Sequence, residues 1–263
     1  MSDTSLDRDS RVIDLDSLVR ETPRSALPDG AFEDLLALAD DELIIGHRHS
    51  EWLGLSPFLE EDLTMSSIAQ DEFGHARALY ALLWPDWVDR EADITRRPAS
   101  QWRSCALIEL EGHPWERAFL RHLLYDVAEP FRWRGLASQW GGSVPGLDGL
   151  SIKACSEETF HERHAVELAM RLGTDAGGRV RLQRQLDDLW PMVSQLRTGM
   201  GVTGWFNFLN RCADVFQRAQ LVAVPDDHHD DPDSLHRRKR SGGFGLIQRS
   251  LLDVVAFDPD ARW

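Results

Sequence analysis

Two short strings set the strongest constraint on this chain: Glu72-Phe73-Gly74-His75 and Glu158-Thr159-Phe160-His161. Each places a carboxylate and an imidazole three residues apart. On an α-helix that spacing puts both side chains on one face, about 5–6 Å apart at Cβ, near enough to share one metal ion. A single Glu-x-x-His is weak evidence, because both residue types are ordinary in helices. Two of them carry weight only if their segments are helical and face one another.

The apolar pattern supplies those helices. Phe32, Leu35, Leu36, Leu38, Leu43 and Ile44 recur at three- and four-residue steps, as in an amphipathic helix. This helix is predicted from Ala31, capped by Asp29 or Gly30, to about Leu53. Gly54-Leu55-Ser56-Pro57 reads as a stop followed by a start, with Ser56 as cap and Pro57 at the first helical position. A second helix then runs to about Leu83, with Glu60, Glu61 and Asp62 at its positive end. The connection is short, so the two lie antiparallel. A third helix is predicted from Pro114 to Trp140, kinked or broken at Pro130. After the Gly141–Gly146 turn a fourth spans Leu147–Leu172. Further helices are expected at Gly178–Leu196, Trp205–Val222 and about Leu246–Val255, with polar connections at Pro85–Gln101 and Pro225–Arg240. No segment alternates as a strand would. The expected fold is all-α: a leader over residues 1–30, with one helical turn near Leu15–Leu18, then a single helical domain over 31–263.

Composition narrows the function classes. The 263 residues are 42% hydrophobic and 28% charged, enough for a sizeable core. Lys and Arg total 29 against 44 Asp and Glu, a formal net charge of −15. That balance argues against a basic nucleic-acid surface and against binding an anionic membrane. No apolar run reaches the roughly 18–20 residues of a membrane span, and Met1–Arg11 lacks the apolar stretch of a secretory signal, so a cytoplasmic protein is expected. Cys105, Cys155 and Cys212 are far apart and odd in number, which gives neither a disulfide framework nor a thiolate metal site.

With Glu-x-x-His on the second and fourth helices, the chain has the arrangement of ferritin-like di-iron bundles. These add one carboxylate from each remaining helix. In an antiparallel pair, residues equally far from the turn lie at equal height. Glu72 lies about 16 residues past a turn near residue 56, about 24 Å up its helix. Its partner therefore falls near residue 40, where Glu42 fits and Asp40 and Asp41 point elsewhere. Glu51 is too near the turn unless the first helix ends early. For Glu158, with the turn near 143, the partner falls near 128, and both Asp126 and Glu129 qualify. Oxygen and imidazole donors without thiolate suit iron or manganese. Buried without metal, the four carboxylates repel one another. The expected set is Glu42, Glu72 and His75 on one iron, with Asp126 or Glu129, Glu158 and His161 on the other. Asp71 and Glu157 each precede a ligand glutamate, where a carboxylate can hold a ligand histidine by its free ring nitrogen. His49 lies on the Glu42 seam, His164 reads as a surface residue, and His228-His229 as a solvated pair.

At these residues the chain resembles the phenylacetyl-CoA epoxidase subunits of bacterial phenylacetate catabolism. The likeness runs through Gly46-His47-Arg48-His49-Ser50-Glu51-Trp52-Leu53-Gly54 and Ile68-Ala69-Gln70-Asp71-Glu72-Phe73-Gly74-His75-Ala76-Arg77. It continues in Phe119-Leu120 through Asp126, in Glu157-Glu158-Thr159-Phe160-His161, and in Gly242-Gly243 before the last helix. The resemblance implies a ferritin-like bundle and a di-iron oxygenase acting on an aromatic or acyl-CoA-type substrate. Tyr125-Asp126-Val127-Ala128 matches the family's ligand aspartate, which favours Asp126. The His-Ser-Glu run keeps Glu51 as an alternative to Glu42. The implied metal set is Glu42, Glu72, His75, Asp126, Glu158 and His161, holding two iron ions. Electrons would come from an external reductase, since no flavin, nicotinamide or iron–sulfur motif is present. A paralogous ferritin-like subunit or a second copy of the chain is the implied partner. In that family a structural paralogue has lost most ligands. This chain resembles it in length and in the short first connection, but resembles the catalytic subunit at the ligand positions. An oxygenase subunit and a structural subunit that retains ligand residues are therefore the two leading readings. An iron-storage protein is disfavoured by the extra C-terminal helices.

Overall fold

The periodic segments form helices, and their ends show what the sequence alone does not decide. The computed structural model describes residues 27, 28, 30–84, 94–222, 237 and 239–257. The expected turn at Leu15–Leu18 and the pair His228-His229 lie outside the described residues. Helix α1 (Ala31–Ser50) and helix α2 (Leu59–Leu83) form one pair. A short helix α3 (Ala106–Glu109) and a 3-10 turn at Ala99–Gln101 interrupt the crossover. Helix α4 (Trp115–Trp140) and helix α5 (Leu147–Thr174) form the second pair. Helix α6 (Ala176–Leu189), helix α7 (Gly201–Arg218) and helix α8 (Phe244–Phe257) follow. No strand occurs among the described residues. The fold is an all-α, ferritin-like bundle with additional C-terminal helices.

Several boundaries differ from expectation, among them those of α7, which begins at Gly201 and ends at Arg218 where Trp205–Val222 was expected. The α1–α2 turn is longer, because Asp62 folds back from the first turn of α2. Its carboxylate accepts the Gly54 N–H at 2.8 and 2.9 Å and the Ser56 N–H at 3.3 Å. Ser56 is thus held in the turn, its hydroxyl donating to Trp52 O at 3.2 Å, and does not cap α2. Gly54 carries φ of 76°, a left-handed conformation that glycine adopts without penalty. The break expected at Pro130 is absent: α4 runs through it, with Pro130 buried in the bundle. Packing on that scale outweighs the about 3 kcal/mol cost of a helical proline. The single helix expected over 178–196 instead ends at Leu189 and tightens into a 3-10 segment, Trp190–Arg197. Pro191 has no N–H to continue the α ladder.

The core falls into two apolar clusters with a polar band between them. On α1, Ala31–Ala39 belong to one cluster and Ile44 and Ile45 to the other. The acids Asp40, Asp41 and Glu42 lie between, all fully buried. On α5, Leu147, Leu150 and Ala154 precede the band and Ala165–Ala169 follow it. Helix α1 can come close to α2 here because residue 46 is glycine: a Cβ would meet Glu72 Cβ and Phe73 at 3.1 Å.

Buried carboxylates require cations or donors. Asp40 accepts from Tyr80 OH at 2.7 Å, Arg97 at 2.5 Å and the Arg103 N–H at 2.7 Å. Asp41 pairs with Arg132 at 2.6 Å and Arg237 at 2.5 Å, and accepts the Cys105 N–H at 2.7 Å. Arg237 also donates to Gln195 O and Ala37 O. On α3, Glu109 binds Arg240 and the Ser241 N–H at 2.6 Å each. These contacts bind the segment before α8 to the bundle. Replacing Asp41 with Ala strands two buried guanidinium groups, and should lower unfolding free energy by about 3–5 kcal/mol, read as a lower denaturant midpoint.

Candidate metal centre

Four helices deliver six side chains to the middle of the polar band. Helix α1 supplies Glu42, α2 supplies Glu72 and His75, α4 supplies Glu129, and α5 supplies Glu158 and His161. Glu42, Glu72, His75 and Glu129 offer donor atoms all within 4.8 Å of one another, as do Glu72, Glu129, Glu158 and His161. Glu72 and Glu129 occur in both groups, which gives two overlapping positions with shared carboxylates.

The two Glu-x-x-His strings face each other as their spacing requires. His75 Nδ1 lies 3.3 Å from Glu42, 3.5 Å from Glu72 and 3.4 Å from Glu158. His161 Nδ1 lies 3.2 Å from Glu158 and 3.7 Å from Glu72. The outer ring nitrogens are held crosswise. His75 Nε2 on α2 meets Glu157 of α5 at 2.9 Å, and His161 Nε2 on α5 meets Asp71 of α2 at 3.2 Å. Each Asp/Glu-Glu-x-x-His string therefore braces the histidine of the other, leaving both Nδ1 atoms turned toward the carboxylates. Tyr125 OH donates to Glu42 at 3.3 Å and is itself held by Arg132 at 3.3 Å.

Of the two candidates on α4, Glu129 reaches this cluster. Asp126, favoured by resemblance, is fully buried elsewhere, its Oδ1 3.0 Å from His122 Nδ1. One helical turn separates the two, and the direction in which α4 presents its side chains to the other helices decides between them. Glu51 lies at the half-exposed edge, paired with Arg48 at 2.7 Å, so Glu42 is the glutamate that α1 brings to the centre.

The electrostatics describe a cluster crowded with buried acid. Both oxygens of Glu72, both of Glu129 and one of Glu158 are buried with no donor from outside the cluster's own carboxyls. Burial, with Glu158 and Glu42 close by, drives the Glu72 carboxyl well above the usual range. Burial and the charges of Glu158, Glu42 and Glu72 do the same for Glu129. Glu42 moves the other way, to about 2: burial opposes its charge, but the carboxyls of Glu129 and Glu72 and the His75 imidazole outweigh it. Burial likewise opposes the charge on His161, yet its contacts with Asp71 and Glu158 raise it to about 11. Oxygen and imidazole donors with orphaned lone pairs fit iron or manganese.

A carboxylate–histidine cluster at the centre of a four-helix bundle defines a ferritin-like protein with a candidate two-metal centre. The chain belongs to the phenylacetic acid catabolic protein family, whose model matches residues 20–201. It is 28% identical over 165 residues to one of the subunits of the 1,2-phenylacetyl-CoA epoxidase of Escherichia coli (strain K12). That match spans 61% of this chain and 65% of the relative. Among the described residues, no helix is long and apolar enough to cross a membrane.

Two outcomes follow from the brace and the protons. Asp71→Asn and Glu157→Gln should each weaken metal affinity about 10–100-fold with little change in helicity, measured by competition with a chelator. Because Glu72, Glu129 and both histidines have raised pKa values, an incoming cation must displace protons. Uptake should release protons to solvent, and apparent affinity should rise with pH, which calorimetry in buffers of different ionisation enthalpy will read.

Proposed function

We propose that this chain is the metal-carrying subunit of a multicomponent oxygenase related to phenylacetyl-CoA epoxidase. It would hold two iron ions with Glu42, Glu72, His75, Glu129, Glu158 and His161, with Glu129 in the place expected for Asp126. The observation that carries the reading is the full set of six buried donors, with orphaned oxygens, at the centre of the bundle. Bound iron would supply the reduction of O2 and the transfer of one oxygen atom to an aromatic or acyl-CoA-type substrate.

The chain's own residues do the rest. Asp71 and Glu157 fix the imidazoles, so the cluster keeps its geometry when charge at its centre changes. Tyr125, backed by Arg132 and Asp41, orients Glu42. The two apolar clusters exclude water from above and below the band. An open cleft of about 470 Å³ between α2 and α5 leads to this level, lined by Leu63, Ile68, Asp71, Phe160, His161 and His164. It gives a small molecule a route to the His161 side of the cluster. Electrons would arrive from an external reductase, and a paralogous ferritin-like subunit or a second copy would complete the assembly, in the cytoplasm.

The second reading is a structural subunit that keeps ligand residues, which the chain's 263-residue length favours by resemblance. Glu72→Leu and His75→Gln separate the two. On the oxygenase reading the unaltered protein carries about two irons per chain, and both variants lose most of this iron and all O2-dependent product. Helicity and partner capture persist, because removing an acid also relieves repulsion in the empty site. Product is measured by mass spectrometry with reductase and a panel of acyl-CoA thioesters. Full turnover in both variants would place the chemistry in another subunit.

A further inference from the structure

The two carboxylates that brace the histidines are alike in sequence and unlike in their surroundings. Glu157 accepts from His75 Nε2 at 2.9 Å, and Asp71 meets His161 Nε2 at 3.2 Å. Behind Glu157 stands a cation that Asp71 lacks. Lys153, one helical turn earlier on α5, donates to both Glu157 oxygens at 2.6 Å each. Asp71 has no matching Lys or Arg among the described residues, and its side chain is 38% exposed against 28% for Glu157.

Lys153, Glu157 and His75 thus form a chain from the surface to the cluster: ammonium, carboxylate, imidazole. At its inner end, His75 Nδ1 has Glu42, Glu72 and Glu158 within 3.5 Å. The orientation of the ring among these three acids is set from Nε2, where Glu157 holds it. Glu157 is part-exposed, so without Lys153 its carboxylate has water as a competing partner. Lys ahead of Glu is the weaker order for stabilising a helix, so the pair does little for α5 itself.

Two effects of Lys153 on a bound cation oppose each other. Its charge repels the ion, and its grip on Glu157 preorganises the imidazole. The ammonium is part-exposed and is separated from the ligand nitrogen by a carboxylate and a ring, so solvent screens its charge. The grip acts through direct contact. Positioning therefore outweighs repulsion.

We infer that Lys153 is a positioning residue for the metal centre: by gripping Glu157 it fixes the His75 imidazole, which makes the His75 half of the centre rigid and leaves the His161 half yielding. The inference rests on the reading of the cluster as a metal centre, and its test separates the two.

The test uses the full-length protein, metal-free and then titrated with Co²⁺, with isotope-labelled histidine rings followed by nuclear magnetic resonance. In the metal-free form, Lys153→Met should speed exchange of the His75 ring N–H with solvent by about 5-fold, the worth of one part-exposed ion pair, and leave the His161 ring unchanged. Affinity for one of the two Co²⁺ ions should fall by a similar factor, short of the about 10–100-fold expected when a brace itself is lost. Lys153→Arg keeps the cation and should restore both readouts. Because Lys153 acts through Glu157, a Lys153→Met/Glu157→Gln variant should bind Co²⁺ no more weakly than Glu157→Gln alone. Unchanged His75 exchange in Lys153→Met, an equal change in both rings, additive losses in the double variant, or tighter Co²⁺ binding would each overturn the inference. If the unaltered chain takes up no Co²⁺, the metal-centre reading fails, and the His75 exchange in the metal-free protein still decides whether Lys153 fixes the ring.

Discussion

The constraint on which the rest of this structure depends is negative charge in a place without water. Three consecutive acids on α1, Asp40, Asp41 and Glu42, are fully buried, and Glu109 on α3 joins them. Each is satisfied differently. Asp40 and Asp41 are paired with arginines and tied to backbone N–H groups. Glu42 meets only acids, imidazoles and a tyrosine. The bundle thus sorts adjacent carboxylates into structural pairs and an uncompensated cluster. Only the second kind is left dependent on protons or on a cation from outside.

Much of this was legible beforehand. The doubled Glu-x-x-His, with helical periodicity on either side, led to the bundle and to facing helices, because spacing of three has one consequence on a helix. Counting back from the turn reached Glu42. Asp71 and Glu157 stood out by adjacency, although the crosswise pairing could not be read, since each reaches a helix far away in sequence. Asp126 and Glu129 were inseparable by height, and resemblance pointed to the one that the geometry turns toward His122. A difference of three residues is a small rotation about the helix axis, which packing settles and sequence does not. Helix ends failed where side chains intervene from outside the local window, as Asp62 does at Gly54 and Ser56.

The crosswise brace also makes the two halves of the cluster unequal. His75 is sealed, with Trp133 against its ring at a centroid distance of 5.5 Å. His161 lies at the wall of the cleft, and its Asp71 partner is 38% exposed. The bundle looks two-fold in sequence, yet the His161 ring lines the cleft and the His75 ring does not, although its Glu157 brace does. A substrate or reductant that reaches the cluster through this cleft meets the two bracing carboxylates, Asp71 and Glu157, and the His161 ring before it meets His75.

The pairing of Asp41 with Arg237 spans 196 residues, and this bears on how the protein is made. During synthesis α1 leaves the ribosome long before either of its cations: Arg132 follows 91 residues later and Arg237 later still. Until then Asp41 lacks both of its guanidinium partners, and a bare charge is costly to bury. Burial of Asp41 with both guanidinium partners in place is therefore reached only when nearly the whole chain has emerged.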